Sequence, residues 1–404
     1  MIMGDKNLVY PQRYIPFDLG RQLRDTDLNR IEDYFRVNSF KMEEITSLLK
    51  DIAPDVVFKL VIAENTVLYL FSYGIGVFVF NDNPYPLGDK FAKGYCQYRK
   101  QAHKEILEFN YGEFSDKIKT IINDTRMIVK DKDNRPSAGS NWEYNGLSYV
   151  MTVNYILSSN KIRSYDELTE VKKKDLQILL QPSLAQEEDT LSFNRTNKSN
   201  FDSYDFNVMN LDTPKDWVSD NDVFLYISWA SVVAYVSTLD NKYVELLECL
   251  EVNLQAMWLL SYCQYINLKL YPEEKKMKSS FLKREKYNFQ KKFNEFLSEN
   301  DSSVPVYLSN IRNELIRTSN IKLQKEKYME YIDFCIDEAE SLEREHQKKY
   351  SALNEILLFI IAFMQVAPMI YNALIGNYNK LHILPVCIMS LIVIIGVVFI
   401  LSKE

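Results

Sequence analysis

Two groups of side chains late in the sequence have types and spacing that can do chemistry. Asp333, Asp337, Glu338, Glu340, Glu343 and Glu345 crowd a short stretch. Carboxylates are hard oxygen ligands, and acidic rings close to a pore gather divalent cations. Asp337, Glu340 and Glu345 are therefore candidates for sensing such a cation. The plainer reading of the same acids is i,i+4 pairing with neighbouring Lys and Arg on a helix surface. The second group is Gln365, Pro368 and Asn372, three or four residues apart and so on one helical face. They lie in an otherwise apolar run. Amides in hydrocarbon need partners, which makes Gln365 and Asn372 candidates for lining a water-filled path or for joining one helix to another.

Recognisable catalytic patterns are lacking. His103, His346 and His382 lie far apart, and no HExxH, GxSxG or P-loop spacing occurs. Gly74 and Gly76 supply two glycines of a phosphate loop, but Phe78–Phe80 continues as strand rather than opening a helix. The chain is read as a non-enzyme. Cys96, Cys249, Cys263, Cys335 and Cys387 show no CxxC pairing, which fits reduced, mostly buried thiols. Net charge is −7, so nucleic acid is not an expected partner. Lys275, Lys276, Lys278, Lys283, Arg284, Lys286, Lys291 and Lys292 form a basic run with Phe and Tyr between. It reads as a solvated helix face or as a surface for anionic headgroups.

The elements that position these groups are dominated by two uncharged runs, Ile356–Ile375 and Ile383–Leu401, separated by Gly376–His382. Each is about the 20 residues needed to cross a bilayer core. The expectation is a two-span C-terminal hairpin. Arg344, Lys348 and Lys349 precede it, Lys403 follows it, and the turn holds Lys380. That asymmetry puts both termini on the cytoplasmic side. The first residues, through Arg24, are polar and Arg-bearing, so no secretory signal is read there.

Nine of the eleven glycines lie at or before Gly146. Glycine marks turns, so an α/β region is expected first and a helical region later. Helices are read over Asp27–Phe35, Lys41–Ile52 and Asp89–Phe109, and from the Ser164/Glu167 capping box to about Leu180. Strands are read at Val56–Ala63, Val67–Phe80, Leu147–Leu157 and Val223–Ser237. Tyr73-Gly74-Ile75-Gly76 breaks the second of these into a hairpin. Asn81–Gly88 reads as a loop, and Gln181–Asn221 as a long polar linker. Lys242–Tyr271 and Pro272–Asn300 read as helices, with Pro272 in a first turn and a break at Asp301-Ser302-Ser303. From Ser319 no Gly or Pro occurs until Pro368. Tyr328, Ile332, Cys335, Ala339, Leu342 and Leu353 form one apolar stripe. One continuous helix, roughly 75 Å long at 1.5 Å per residue, is expected to become the first span.

The expected fold is thus an α+β cytosolic domain, then long helices forming a stalk, then the transmembrane hairpin. Its divisions are 1–180 for the α/β domain, 181–221 for the linker, 222–318 for a strand pair with helices, 319–355 for the stalk and 356–404 for the hairpin.

This layout resembles the CorA-like divalent-cation channels, whose cytosolic α/β domain feeds a stalk helix into two C-terminal spans. That family ends its first span with Gly-Met-Asn. Here Gly376-Asn377-Tyr378-Asn379 stands in that place, with a Gly and an Asn but not the tripeptide. The resemblance adds Gly376 and Asn377 to the pore-lining candidates. It implies a homo-oligomer in a lipid bilayer, no cofactor except a divalent cation, and an unidentified cytosolic ligand. Locally, VLYLFSYGIGVFVF (67–80) and EHQKKYSALNEILLFIIAFMQV (345–366) resemble the hairpin and the membrane segment of the "required for meiotic nuclear division" family. That resemblance implies a membrane-anchored organiser without catalysis. A third expectation is a defence effector that permeabilises membranes when a cytosolic sensor fires.

Overall fold

The computed structural model describes residues 8–86, 115–130, 151–157, 176, 179, 207–210, 224–227, 231–236, 238–239, 242–269, 278–298 and 306–374. The chain divides into two compact units, Met1–Pro272 with Tyr287–Ile332, and Glu273–Lys286 with Asp333–Glu404.

The first unit is built on one ten-stranded sheet. Its strands are β1 (Leu8–Asp18), β2 (Lys41–Glu43), β3 (Val56–Ala63), β4 (Thr66–Phe71), β5 (Ile75–Asn81), β6 (Tyr85–Pro86), β7 (Met151–Leu157), β8 (Asn207–Asn210), β9 (Phe224–Ile227) and β10 (Ser231–Val236). The spatial order is β2-β3-β4-β5-β1-β7-β10-β9-β8, with β6 paired to β1. Among the described strands the pairs are antiparallel, save β7 with β10.

Runs of β-branched, aromatic and other apolar residues make β3, β4 and β5, and the sequence reading holds there. The turn joining β4 to β5 is where it was expected. Gly74 adopts φ +84°, and a Cβ there would sit 1.8 Å from the Arg21 carbonyl oxygen. Only glycine fits. Its own carbonyl accepts from Leu19 N–H at 2.8 Å, fastening the turn to the end of β1.

Several expectations need correction. The N-terminal residues were read as merely polar, but β1 is the central strand and is almost wholly buried. Lys41–Ile52 was read as one helix. It is strand β2 followed by α2 (Ser47–Ile52), whose N-cap Thr46 Oγ1 accepts from Leu49 N–H. The loop at Asn81–Gly88 contains β6, and the polar linker contains β8. The strands near 222–236 are not a separate pair. They belong to the same sheet, because β10 pairs in register with β7, Val233 opposite Asn154. The divisions at 180 and 222 therefore do not separate two folded bodies. The helix expected at 89–109 lies outside the described residues, as does the one after Ser164 except for Leu176 and Leu179, which are helical and buried.

Helices cover the two faces of this sheet. On one face α1 (Asp25–Val37) and α3 (Ser115–Val129) bury Ile31, Phe35, Ile118 and Ile122 against Phe17, Leu60, Leu68 and Phe78. Asp27 starts α1 by accepting the Arg24 N–H at 2.8 Å and the Arg21 guanidinium at 2.7 Å. The other face carries α4 (Lys242–Lys269). Its residues from Cys249 to Met257 are all buried, as in a core helix that is apolar around most of its circumference.

Three more helices follow: α5 (Ser279–Ser298), α6 (Val306–Thr318) and α7 (Ile321–Leu374). Asn320, at φ +55°, separates α6 from α7. Residue Pro272 lies outside the described residues, and α5 begins at Ser279. Helix α7 is continuous for 54 residues, with Pro368 inside it. Tyr328, Ile332 and Ala339 of the expected stripe are buried, while Cys335 and Leu342 are half-buried. Leu353 departs from it and is exposed. The second uncharged run, Ile383–Leu401, lies outside the described residues.

Candidate functional site

Three places carry the functional argument. The first is the apolar end of α7. Leu357, Leu358, Ile360, Ile361, Phe363 and Met364 are all exposed, Met364 by 70%. This helix is long and apolar enough to cross a membrane, and its apolar window is wholly unburied. A core helix of a soluble domain would hide that surface. Gln365 is exposed within it. Since α7 is helical from Gln365 through Pro368 to Asn372, the three do share one face. Gly376 and Asn377 lie outside the described residues.

The second place is the acidic stretch of α7, within the second unit. Three of its acids meet the start of α5. Glu343 accepts the Ser279 backbone N–H at 2.9 Å and its hydroxyl at 2.8 Å. That caps the first turn of α5 from another helix, and these hydrogen bonds hold the Glu343 carboxyl below its ordinary range. Lys283 pairs with Glu340 at 2.5 Å, and Arg344 pairs with it at 3.1 Å. The Lys283 ammonium likewise keeps the Glu340 carboxyl low. Lys286 pairs with Asp333 at 2.5 Å. As the numbers rise on α5 they fall on α7, so the helices run antiparallel. Lys283 and Lys286 of the basic run thus face acids of the same chain.

Of the cation-sensing candidates, Glu340 is engaged by two basic side chains, and Asp337 and Glu345 are exposed. Among the described residues no three His, Cys, Asp or Glu side chains converge as a metal-binding group. We expect Glu343→Ala to remove both acceptors and to speed amide exchange at Ser279–Leu282, with Glu343→Gln retaining part of the protection. Exchange read by mass spectrometry checks this, and unchanged rates would remove the capping role.

The third place was not legible as a site. Between β1, β4, β7 and α4 lies a buried polar cluster centred on Gln12. The Tyr14 hydroxyl donates to Gln12 Oε1, and the Tyr155 hydroxyl lies 3.2 Å from the same oxygen. Gln12 Nε2 donates to Asn81 Oδ1 at 3.0 Å and to Glu248 Oε2 at 2.7 Å. The Tyr69 hydroxyl donates to the other oxygen of Glu248. Burial raises the Tyr14 and Tyr155 hydroxyls well above the ordinary phenol range. Burial also pushes the Cys249 thiol up to about 12. One turn along α4 from Glu248, Glu251 is completely buried, and neither carboxylate oxygen has a hydrogen-bond partner. One signal could have found it: a glutamate in the middle of a helix whose neighbours are all core residues.

A further buried group ties the sheet to both helical layers. Asp18 Oδ1 accepts the Gly20 N–H at 2.8 Å, and Arg126 of α3 donates to the Asp18 carbonyl at 2.9 Å. Burial raises the Asp18 carboxyl, while Gly20, Arg126 and the Cys263 thiol of α4 draw it back. Burial and this acid together hold the Cys263 thiol protonated. Cys249, Cys263 and Cys335 are free thiols.

The class these features define is an α/β-sheet protein followed by helices, with one helix able to cross a membrane. No protein-family model matches the chain, and no curated protein matches it significantly.

Proposed function

We propose that the protein is a membrane-anchored organiser. Its α/β unit presents a binding surface in the cytoplasm, and a two-span hairpin formed by the end of α7 and by Ile383–Leu401 holds it in the bilayer. Both termini stay on the cytoplasmic side. The carrying observation is how α7 is used. Its acids at 333, 340 and 343 are committed to Lys286, Lys283 and Ser279, while its apolar end is bare. A helix whose polar length is satisfied internally and whose apolar length needs lipid behaves as an anchor. No role in the anchor reading requires a cation at Asp337, Glu340 or Glu345.

A second reading, a CorA-like homo-oligomeric channel, is favoured by Gln365 alone. An exposed amide in an apolar helix needs a partner in hydrocarbon, and a ring of copies would supply one. Liposome flux and the mass of the detergent-purified particle separate the readings. We expect divalent-cation flux no greater than in empty vesicles, unchanged by Gln365→Leu or Asn372→Leu. Flux that falls in either variant, from a particle of several chains, would overturn the organiser reading.

A further inference from the structure

The strongest unassigned feature is the carboxyl group of Glu251. Its side chain has no exposed surface, and both oxygens lack a hydrogen-bond partner. The titratable groups that face this side of α4 are phenols: Tyr14 of β1, Tyr155 of β7 and Tyr69 of β4. Helix α4 itself adds Glu248, already held by Gln12 and Tyr69, the Cys249 thiol, and Tyr243 and Glu245 one to two turns away. Strand β5 contributes no ionisable side chain.

The nearby cations are engaged elsewhere. Lys59 of β3 pairs with Glu43 at 3.1 Å and lies over the Tyr69 ring. Arg126 of α3 serves Asp18. On α2, Lys50 and Asp51 are exposed. On α6, Arg312 lies over the Phe296 ring at 5.3 Å, and Arg317 pairs with Glu314.

A carboxylate with no cation, and with only the Gln255 amide beside it and out of good hydrogen-bond geometry, is not stable in such a place, because nothing replaces the hydration it has lost. The neutral acid removes that cost. We propose that Glu251 is carried in the core as a neutral carboxylic acid, and that release of its proton to solvent loosens α4 from the sheet, making the docking of this helix pH-sensitive.

Burial pushes the Glu251 carboxyl up to about 8, with the neighbouring Gln255 amide acting in the opposite direction. In an unfolded chain a glutamate releases its proton near 4.3, as a rough reference. Between these values the folded state binds the extra proton. Stability therefore falls as pH rises through this window and levels off above about 8. The phenols and the Cys249 thiol titrate higher and stay neutral across it.

The test uses the full chain in detergent from about pH 6 to about pH 9. Two readouts are followed: the infrared band of a protonated carboxyl, and amide exchange in Leu246–Met257 corrected for intrinsic rates. We expect the band to be present at the low end and lost toward the high end, with corrected exchange rising about a hundredfold, the linkage expected for a carboxyl that titrates at about 8 when buried and near 4.3 when exposed. Glu251→Gln should lack that band and hold its exchange constant. A wild-type chain without the band at low pH, or with α4 protection flat across the range, overturns the proposal. So does a rise in exchange that persists in Glu251→Gln. Both wild-type readouts stand if the variant does not fold.

Discussion

Deleting residues 356–404 leaves a chain that appears in the soluble fraction after an alkaline carbonate wash, whereas the full chain stays with the membrane pellet. The arithmetic rests on the bare end of α7. Ile356, Leu357, Leu358, Ile360, Ile361 and Phe363 are exposed or half-exposed in water. Each large apolar residue contributes about −0.3 to −0.6 kcal/mol to insertion at mid-bilayer. Together they favour the membrane by about 3 kcal/mol before the rest of the span is added. Lysines at Ile360 and Ile361, in a chain ended after Leu374, cost about 5 to 7 kcal/mol and reverse the balance. Recovery of the shortened chain in the carbonate-washed pellet would contradict the anchor.

The second large effect lies at the β4–β5 turn. Gly74→Val is expected to unfold the α/β unit, with a loss of about 3 kcal/mol or more. Two penalties combine there: a backbone conformation that side chains rarely adopt, and a collision at 1.8 Å with the Arg21 carbonyl, which is main chain and has nowhere to go. Gly76 is a different case. A Cβ at Gly76 would lie 2.2 Å from the Phe17 ring, which stacks on Phe78 with centroids 5.2 Å apart. Gly76→Ala should destabilise strongly, and Phe17→Leu should recover part of that loss, since the obstruction is a side chain. No such rescue is expected for Gly74→Val. Urea unfolding of the four variants measures this, and equal rescue at both glycines would refute the distinction.

What the sequence disclosed follows periodicity. Val56–Ala63 and the 67–80 hairpin are apolar runs rich in Val, Ile, Phe and Tyr, as buried strands are, and α7 carries neither Gly nor Pro for nearly 50 residues before Pro368. Strand β1 defeated the same reading. It holds Pro11, Pro16, Gln12, Arg13 and Asp18, residues that discourage a central-strand assignment. Several of their polar groups are satisfied by distant partners, such as Asp82 on Arg13 at 2.5 Å and Glu248 on Gln12. The unity of the sheet was hidden for a related reason. The β7–β10 register joins Thr152 to Ser231 across a long polar stretch, and local pattern carries no trace of it. Among the candidate sites, the face of Gln365, Pro368 and Asn372 could be read from spacing, because a helix fixes it. The Arg344–Glu340 pair, four residues apart, was legible in the same way, whereas the engagement of Glu340 by Lys283 and of Glu343 by Ser279 was not, since it depends on which helix lies alongside.

The place of β1 has a consequence for how the chain reaches its native state. The strand made earliest sits in the middle, with Gln12 opposite Asn81 on one side and Val153 on the other. Neither seam can close until segments from far downstream arrive, and loops of that length delay closure. Until then β1 offers two open hydrogen-bonding edges, an invitation to self-association that a chaperone would have to shield. Folding of this molecule should be slow, and most vulnerable to aggregation before residue 157 has joined.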